Sequence, residues 1–133
     1  MTREDKELLL KDLCARLPYG VICYDETQKE NGFFKTFEYE GFGRIHNGRG
    51  LRFIENIKPY LFPLSSMTEA QKQEYTYIVN YISPDDTDNW KEGEFIYVEQ
   101  FTQLMHFYHI NHLDYRGLIP MGLANDATGL NIY

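Results

Sequence analysis

Residues 33–57, FFKTFEYEGFGRIHNGRGLRFIENI, carry the reading on which the fold turns. Phe33 to Phe42 alternates, with Phe33, Phe37 and Tyr39 on one face and Thr36, Glu38 and Glu40 on the other. A period of two is the signature of a half-buried strand. Leu51 to Ile57 is a second strand-like run. Between them, Asn47-Gly48 is the strongest short-range hairpin signal, because both residues accept positive φ at low cost. The two runs are therefore expected to pair antiparallel around that turn. Val21 to Tyr24, short and rich in β-branched and aromatic residues, supplies another strand.

Working toward the N-terminus, Thr2 is placed to cap a helix, with Glu4 and Asp5 favouring the positive end of its dipole. Leu10, Leu13, Cys14 and Leu17 form an apolar stripe at helical spacing, and Pro18 and Gly20 stop it. Cys14 then reads as a small core hydrophobe and not as a nucleophile. Toward the C-terminus, Ser66 with Glu69 and Thr68 with Gln71 are alternative capping boxes for a helix whose stripe is Tyr75, Ile78, Val79 and Ile82, ended before Pro84. Asp85 to Gly93 reads as an acidic loop and Phe95 to Val98 as a fourth short strand. A helix from about Glu99 to His112 follows, with Phe101, Leu104, Met105 and Tyr108 as its stripe. Gly117 is expected to end that helix with φ > 0, and Leu118, Ile119, Met121 and Leu123 to dock on the sheet. The prediction is one α+β domain over residues 1–133. It has a small, mostly antiparallel sheet of three to four strands, an N-terminal helix, two further helices and an irregular C-terminal tail, 114–133, docked on it.

Composition bounds the function. Lys and Arg total 13 against 20 Asp and Glu, a formal net charge of −7, which argues against direct nucleic-acid binding through the phosphate backbone. No apolar run approaches the roughly 18–20 residues of a membrane span. The charged N-terminus, Met1 to Lys6, leads into only three consecutive leucines and does not resemble a signal peptide. Two cysteines, Cys14 and Cys23, make no disulfide framework. Aromatic residues reach 16%, read first as a core and sheet built on rings and second as a Tyr-rich contact surface.

His106, His109 and His112 have metal-like spacing, but His106 and His112 point about 120° apart on a helix, and Asp114 is the only close carboxylate. No metal and no cofactor is expected. Gly41 to Gly50 is glycine-rich with two arginines, yet it lacks both phosphate-loop patterns and no helix follows it. In the acidic cluster, Trp90 and Lys91 break the calcium-loop pattern. No nucleophile motif is present, so no catalytic residue is assigned. The tail segment Asp114-Tyr115-Arg116-Gly117 has two readings: a structural corner, with Arg116 paired to Asp114 or a sheet glutamate, or a partner-binding corner, since Tyr and Arg dominate hot spots. The candidate binding residues are Tyr115, Arg116, Asp114, His112 and His109.

Three segments carry a resemblance: Arg16-Leu17-Pro18-Tyr19-Gly20-Val21, Lys58-Pro59-Tyr60-Leu61-Phe62-Pro63-Leu64-Ser65-Ser66-Met67-Thr68, and Asp114-Tyr115-Arg116-Gly117-Leu118-Ile119. They cover about a sixth of the chain and occur in the same order as in a family of small uncharacterised proteins of gut anaerobic bacteria, their phages and mobile elements, which this chain resembles. The family pattern often has adjacent histidines before the last motif; here Ile110-Asn111 separates His109 from His112. The resemblance implies a cytoplasmic, phage-related accessory role and no mechanism. The leading expectation is a non-catalytic interaction or accessory protein with an unidentified protein partner. The alternatives are an acidic DNA mimic, with a face built from Glu38, Glu40 and the 85–94 loop, and an enzyme whose site lies near His109 and Arg116.

Overall fold

The computed structural model describes residues 1–41, 43–46, 50–79 and 90–133, the side chains of residues 40 and 90–98 excepted. Helix α1 (Arg3–Arg16) opens on a capping box. The Thr2 hydroxyl accepts the Asp5 N–H at 3.0 Å, and the Asp5 carboxylate accepts the Thr2 N–H at 3.1 Å. Its buried face is Leu9, Asp12, Leu13 and Arg16, one position round from the expected stripe, and Cys14 is exposed. Two of those four inward positions are charged. Apolar periodicity passes over them, because Asp12 and Arg16 are charged residues that are buried as an ion pair.

The strands β1 (Val21–Asp25), β2 (Glu30–Phe34), β6 (Ile57–Leu61) and β7 (Asn125–Asp126) form a sheet in the order β2-β1-β6-β7, antiparallel except for the β6–β7 pair. A second, antiparallel sheet has the order β3-β4-β5, from β3 (Glu38–Gly41), β4 (Arg44–His46) and β5 (Leu51–Phe53). The α+β class holds, with the strands divided between two sheets. Phe33 to Phe42 is therefore not one strand: its first residues close β2 and its later ones form β3. The inward ring is Phe34, because the register Val21↔Phe34 places it opposite the buried face of β1, whereas Phe33 is 60% exposed. Leu51 to Ile57 is likewise interrupted, by a single 3-10 turn at Ile54–Asn56. Asn47-Gly48 lies outside the described residues. The run before it and the run after it do not pair with each other as expected: β4, which alternation alone did not separate, lies between them, pairing antiparallel with β3 on one side and with β5 on the other, His46 opposite Leu51.

The two sheets are joined by a buried ion pair, Arg52 Nε donating to Asp25 Oδ2 at 2.9 Å. Between β1 and β6 the last residue pair is Cys23↔Pro59, and Pro59 has no N–H to donate. Just beyond it the Tyr133 hydroxyl accepts the Ile22 N–H at 2.9 Å and donates to the Tyr60 carbonyl at 2.8 Å, bridging the two strands.

Helices α2 (Glu69–Val79) and α3 (Trp90–Ile110) lie antiparallel. Gln71 near the start of α2 bonds Asn111 just past the end of α3, and Gln100 donates to the Ile78 and Val79 carbonyls at 2.9 and 2.7 Å. Of the two alternative capping boxes, Thr68 with Gln71 forms in both directions. The expected strand at Phe95–Val98 and the expected loop over residues 90–93 are instead the first turns of α3. A short apolar run does not by itself separate strand from buried helix, and this one is continuous with the stripe of Phe101, Leu104, Met105 and Tyr108. Ile82, Pro84 and residues 85–89 lie outside the described residues.

One core cluster packs α1 onto both sheets and the tail, through Leu9, Leu13, Val21, Phe34, Ile45, Ile54, Leu118 and Leu123. A second, centred on Ile78, Phe107, Tyr108 and Leu113, holds α2 and α3. Where α1 gives way to β1, Gly20 has φ +79°, and a Cβ there would stand 2.3 Å from the Phe33 ring. Gly20→Ala is expected to cost about 1–2 kcal/mol for the backbone conformation plus the clash. Gly117→Ala, at φ +75° with open space around it, should incur only the first part. Denaturant titrations of both variants and of Gly20→Ala/Phe33→Ala check this; equal costs for Gly20→Ala with and without Phe33 would contradict it.

Candidate functional site

Asp12 and Arg16, four apart on α1, share a bidentate contact: Arg16 Nε donates to Oδ2 at 2.7 Å and Nη2 to Oδ1 at 3.2 Å. Both side chains are fully buried. Nη2 also donates to the Leu113 carbonyl at 2.7 Å, so the end of α1 is tied to the start of the tail. Arg116 reaches back from that tail and donates through Nε to Asp12 Oδ1 at 3.2 Å, its own side chain 21% exposed. The partner of Arg116 is thus Asp12, not Asp114 or a sheet glutamate. Asp114 is buried and engaged elsewhere: its two oxygens accept the Leu118 and Ile119 N–H groups at 2.8 and 2.9 Å. Tyr115 is packed between charges and rings. The Arg16 and Arg116 guanidinium carbons lie 5.3 and 5.0 Å from its ring centre, and Tyr108 stacks on it at 4.8 Å.

The end of α3 is capped at His112, not at Gly117. His112 has φ 55°, Leu113 N–H bonds the Tyr108 carbonyl at 2.9 Å, and His112 N–H bonds the His109 carbonyl at 3.2 Å. These two bonds define a Schellman cap, with Leu113 packing back on Phe107 and Tyr108. A non-glycine residue is held there because its ring stacks on Tyr133 at 3.6 Å. Gly117 does have positive φ, but within the tail turn. Leu118 and Leu123 are buried, as expected of a docked tail, whereas Met121 is exposed.

The three histidines have separate partners. His106 Nδ1 bonds the Tyr19 hydroxyl at 2.9 Å, His109 Nε2 bonds the Tyr115 hydroxyl at 2.7 Å, and His112 lies against Tyr133. Among the described residues, no three metal-ligating side chains are gathered in one place. His109 is pushed down to about 4, by burial first and then by the Arg16 guanidinium. His112 is also pushed down to about 4, by the same two causes in the same order. Both imidazoles are neutral at pH 7.

The candidate binding residues are thus brought together, but mostly as internal contacts. Sequence reasoning missed Asp12 and Arg16, which organise them. The legible signal was the i,i+4 spacing of opposite charges in register with Leu9 and Leu13. It also missed a groove of about 620 Å³ between α2, α3 and Tyr19. Glu74, Tyr77 and Ile78 of α2 face Phe101, Met105, His106, Phe107 and His109 of α3 across it. His109 lines this groove and Arg116 is not among its lining residues. A second groove, of about 630 Å³, lies between α1 and the three-stranded sheet, and its Arg3, Lys6 and Glu7 are paired with Glu7, Glu55 and Arg3 respectively. Of the acidic face expected for a DNA mimic, Glu38 is exposed on β3, while the Glu40 side chain and residues 85–94 lie outside the described residues apart from the backbone of 40 and 90–94. Comparison with protein-family models, curated proteins and solved structures gives no match to the chain.

Two outcomes follow from this geometry. Asp12→Ala, which strands a fully buried guanidinium, should cost about 3–5 kcal/mol. Arg116→Ala, which leaves Asp12 still paired to Arg16, should cost less, about 1–3 kcal/mol, the worth of one charged hydrogen bond. Urea titrations rank the two, and the reverse order would contradict the assignment of Asp12 as the hub. The histidines make stability depend on pH. With folded values near 4 against 6.5 when free, the unfolded chain takes up protons that the folded chain refuses. Their contribution is intact above pH 6.5 and is lost as pH falls toward 4. A His109→Gln/His112→Gln variant should show a shallower loss between those values than the native chain, and parallel curves would count against it.

Proposed function

We propose that this is a non-catalytic interaction or accessory protein that docks a protein partner in the α2–α3 groove. The observation that carries this reading is the exposure of large rings there: Phe101 is 62% exposed and Tyr77 66%, beside a floor that includes buried Ile78 and Phe107. Exposed aromatic side chains around an apolar cleft are what a protein-binding surface offers, because covering them releases the most water-facing apolar area per residue. The Asp114–Arg116 corner is less suited, since its polar groups already have partners inside the chain. An enzymatic reading finds little support in His109: an imidazole with a value near 4 is a weak base at neutral pH. The resemblance of the three motifs supports a cytoplasmic accessory role in a bacterium, phage or mobile element.

Selection of a displayed peptide library on the native chain tests the reading. Selected peptides should lose binding to Phe101→Glu and keep it with Arg116→Lys, each variant first shown to retain a cooperative melt. Peptides that bind Phe101→Glu as well as the native chain would overturn the groove as the docking face.

A further inference from the structure

We infer that the partner element seated in this groove is an amphipathic helix carrying Lys or Arg beside its apolar anchors; the inference rests on the groove being the docking face. The walls are two antiparallel helices whose own N–H and C=O groups are bonded within the helices, and the carbonyls at the end of α2 are taken by Gln100. Among the described residues lining the groove there is no sheet edge, so an extended peptide would press its amides against Ile78, Phe101 and Met105 without ladder partners. A helix brings its backbone bonds already made, and its side chains at i, i+3 and i+4 interdigitate with the same spacing on α2, where Glu74, Tyr77 and Ile78 line the groove.

Charge favours the same partner. Among the described residues lining the groove, Glu74 is the one carboxylate and there is no Lys or Arg. The whole chain carries a formal charge of −7. A basic residue flanking the apolar anchors meets Glu74 and is drawn in by the net field, while an acidic helix is repelled.

The test uses a displayed library of helical peptides with randomised apolar and charged positions. Peptides selected on the native chain are then synthesised and titrated by fluorescence anisotropy. The inference expects large apolar residues at i and i+3 or i+4, with Lys or Arg adjacent. Phe101→Glu, and Phe101→Ser as a milder second variant, should abolish binding. Glu74→Lys should weaken a basic peptide by up to about fivefold, the upper worth of an exposed ion pair, and strengthen its Lys-to-Glu counterpart. Binding lost in the Phe101 variants but indifferent to Glu74→Lys would overturn the basic-helix inference and leave the groove standing. Binding indifferent to the Phe101 variants would overturn the groove itself. Selection of extended, non-helical peptides, or sedimentation showing that the groove closes a dimer of this chain, would also overturn the inference.

Discussion

A single carboxylate, Asp12, stands between two guanidiniums. One comes from its own helix four residues on, the other from a tail more than a hundred residues later. Taking charges out of water costs several kcal/mol per ion, and only good geometry with further hydrogen bonds repays it. Here the geometry is bidentate on Arg16, whose Nη2 also reaches the Leu113 carbonyl. Among the described residues, Arg16 Nη1 has no hydrogen-bond partner, so the Asp12 charge carries more of the compensation than in a fully satisfied network. The arrangement fixes how α1 meets the tail and keeps Tyr115 and His109 in place beside it.

The three segments quoted for their resemblance come together around this contact. Arg16 belongs to the first; Asp114, Tyr115 and Arg116 belong to the third. The second supplies Phe62, whose N–H bonds the His112 carbonyl and whose carbonyl accepts the Asp114 N–H, both at 2.8 Å, beside the Phe62↔Leu113 bridge. Segments far apart in sequence thus form one junction between the two core clusters. Asp114, Tyr115 and Arg116 make contacts inside the fold at this junction, and Phe101 and Tyr77 in the groove alongside are exposed.

What was legible in the sequence, and what was not, follows the same physics. The caps at Thr2 and Thr68 depend on local hydrogen bonds and could be read directly. The α+β class followed from strand-like runs and helical stripes. The face of α1 could not be read from apolar spacing, because half of that face is an ion pair whose third member is Arg116. Phe33 and Phe34 are adjacent rings, and only the pairing with Val21 decides which one enters the core. Phe95 to Val98 is short and apolar, and the long helix containing it overrides its β-branched character. The cap at His112 depends on a stacking partner, Tyr133, that no local window contains. The groove was invisible for the same reason, since its walls and Tyr19 meet only in the folded chain.

Native-state amide hydrogen exchange on the Asp12→Asn variant tests the central claim most directly, because it removes the hub's charge with almost no change in shape. The account predicts that the amides of Leu118, Ile119 and Asp114 lose protection together with that of Phe62, while those in the stretch 101–108 of α3 keep theirs, since α3 is held by its own cluster. Unchanged protection at Leu118 and Ile119 would show that the tail is held without Asp12, and would contradict the account.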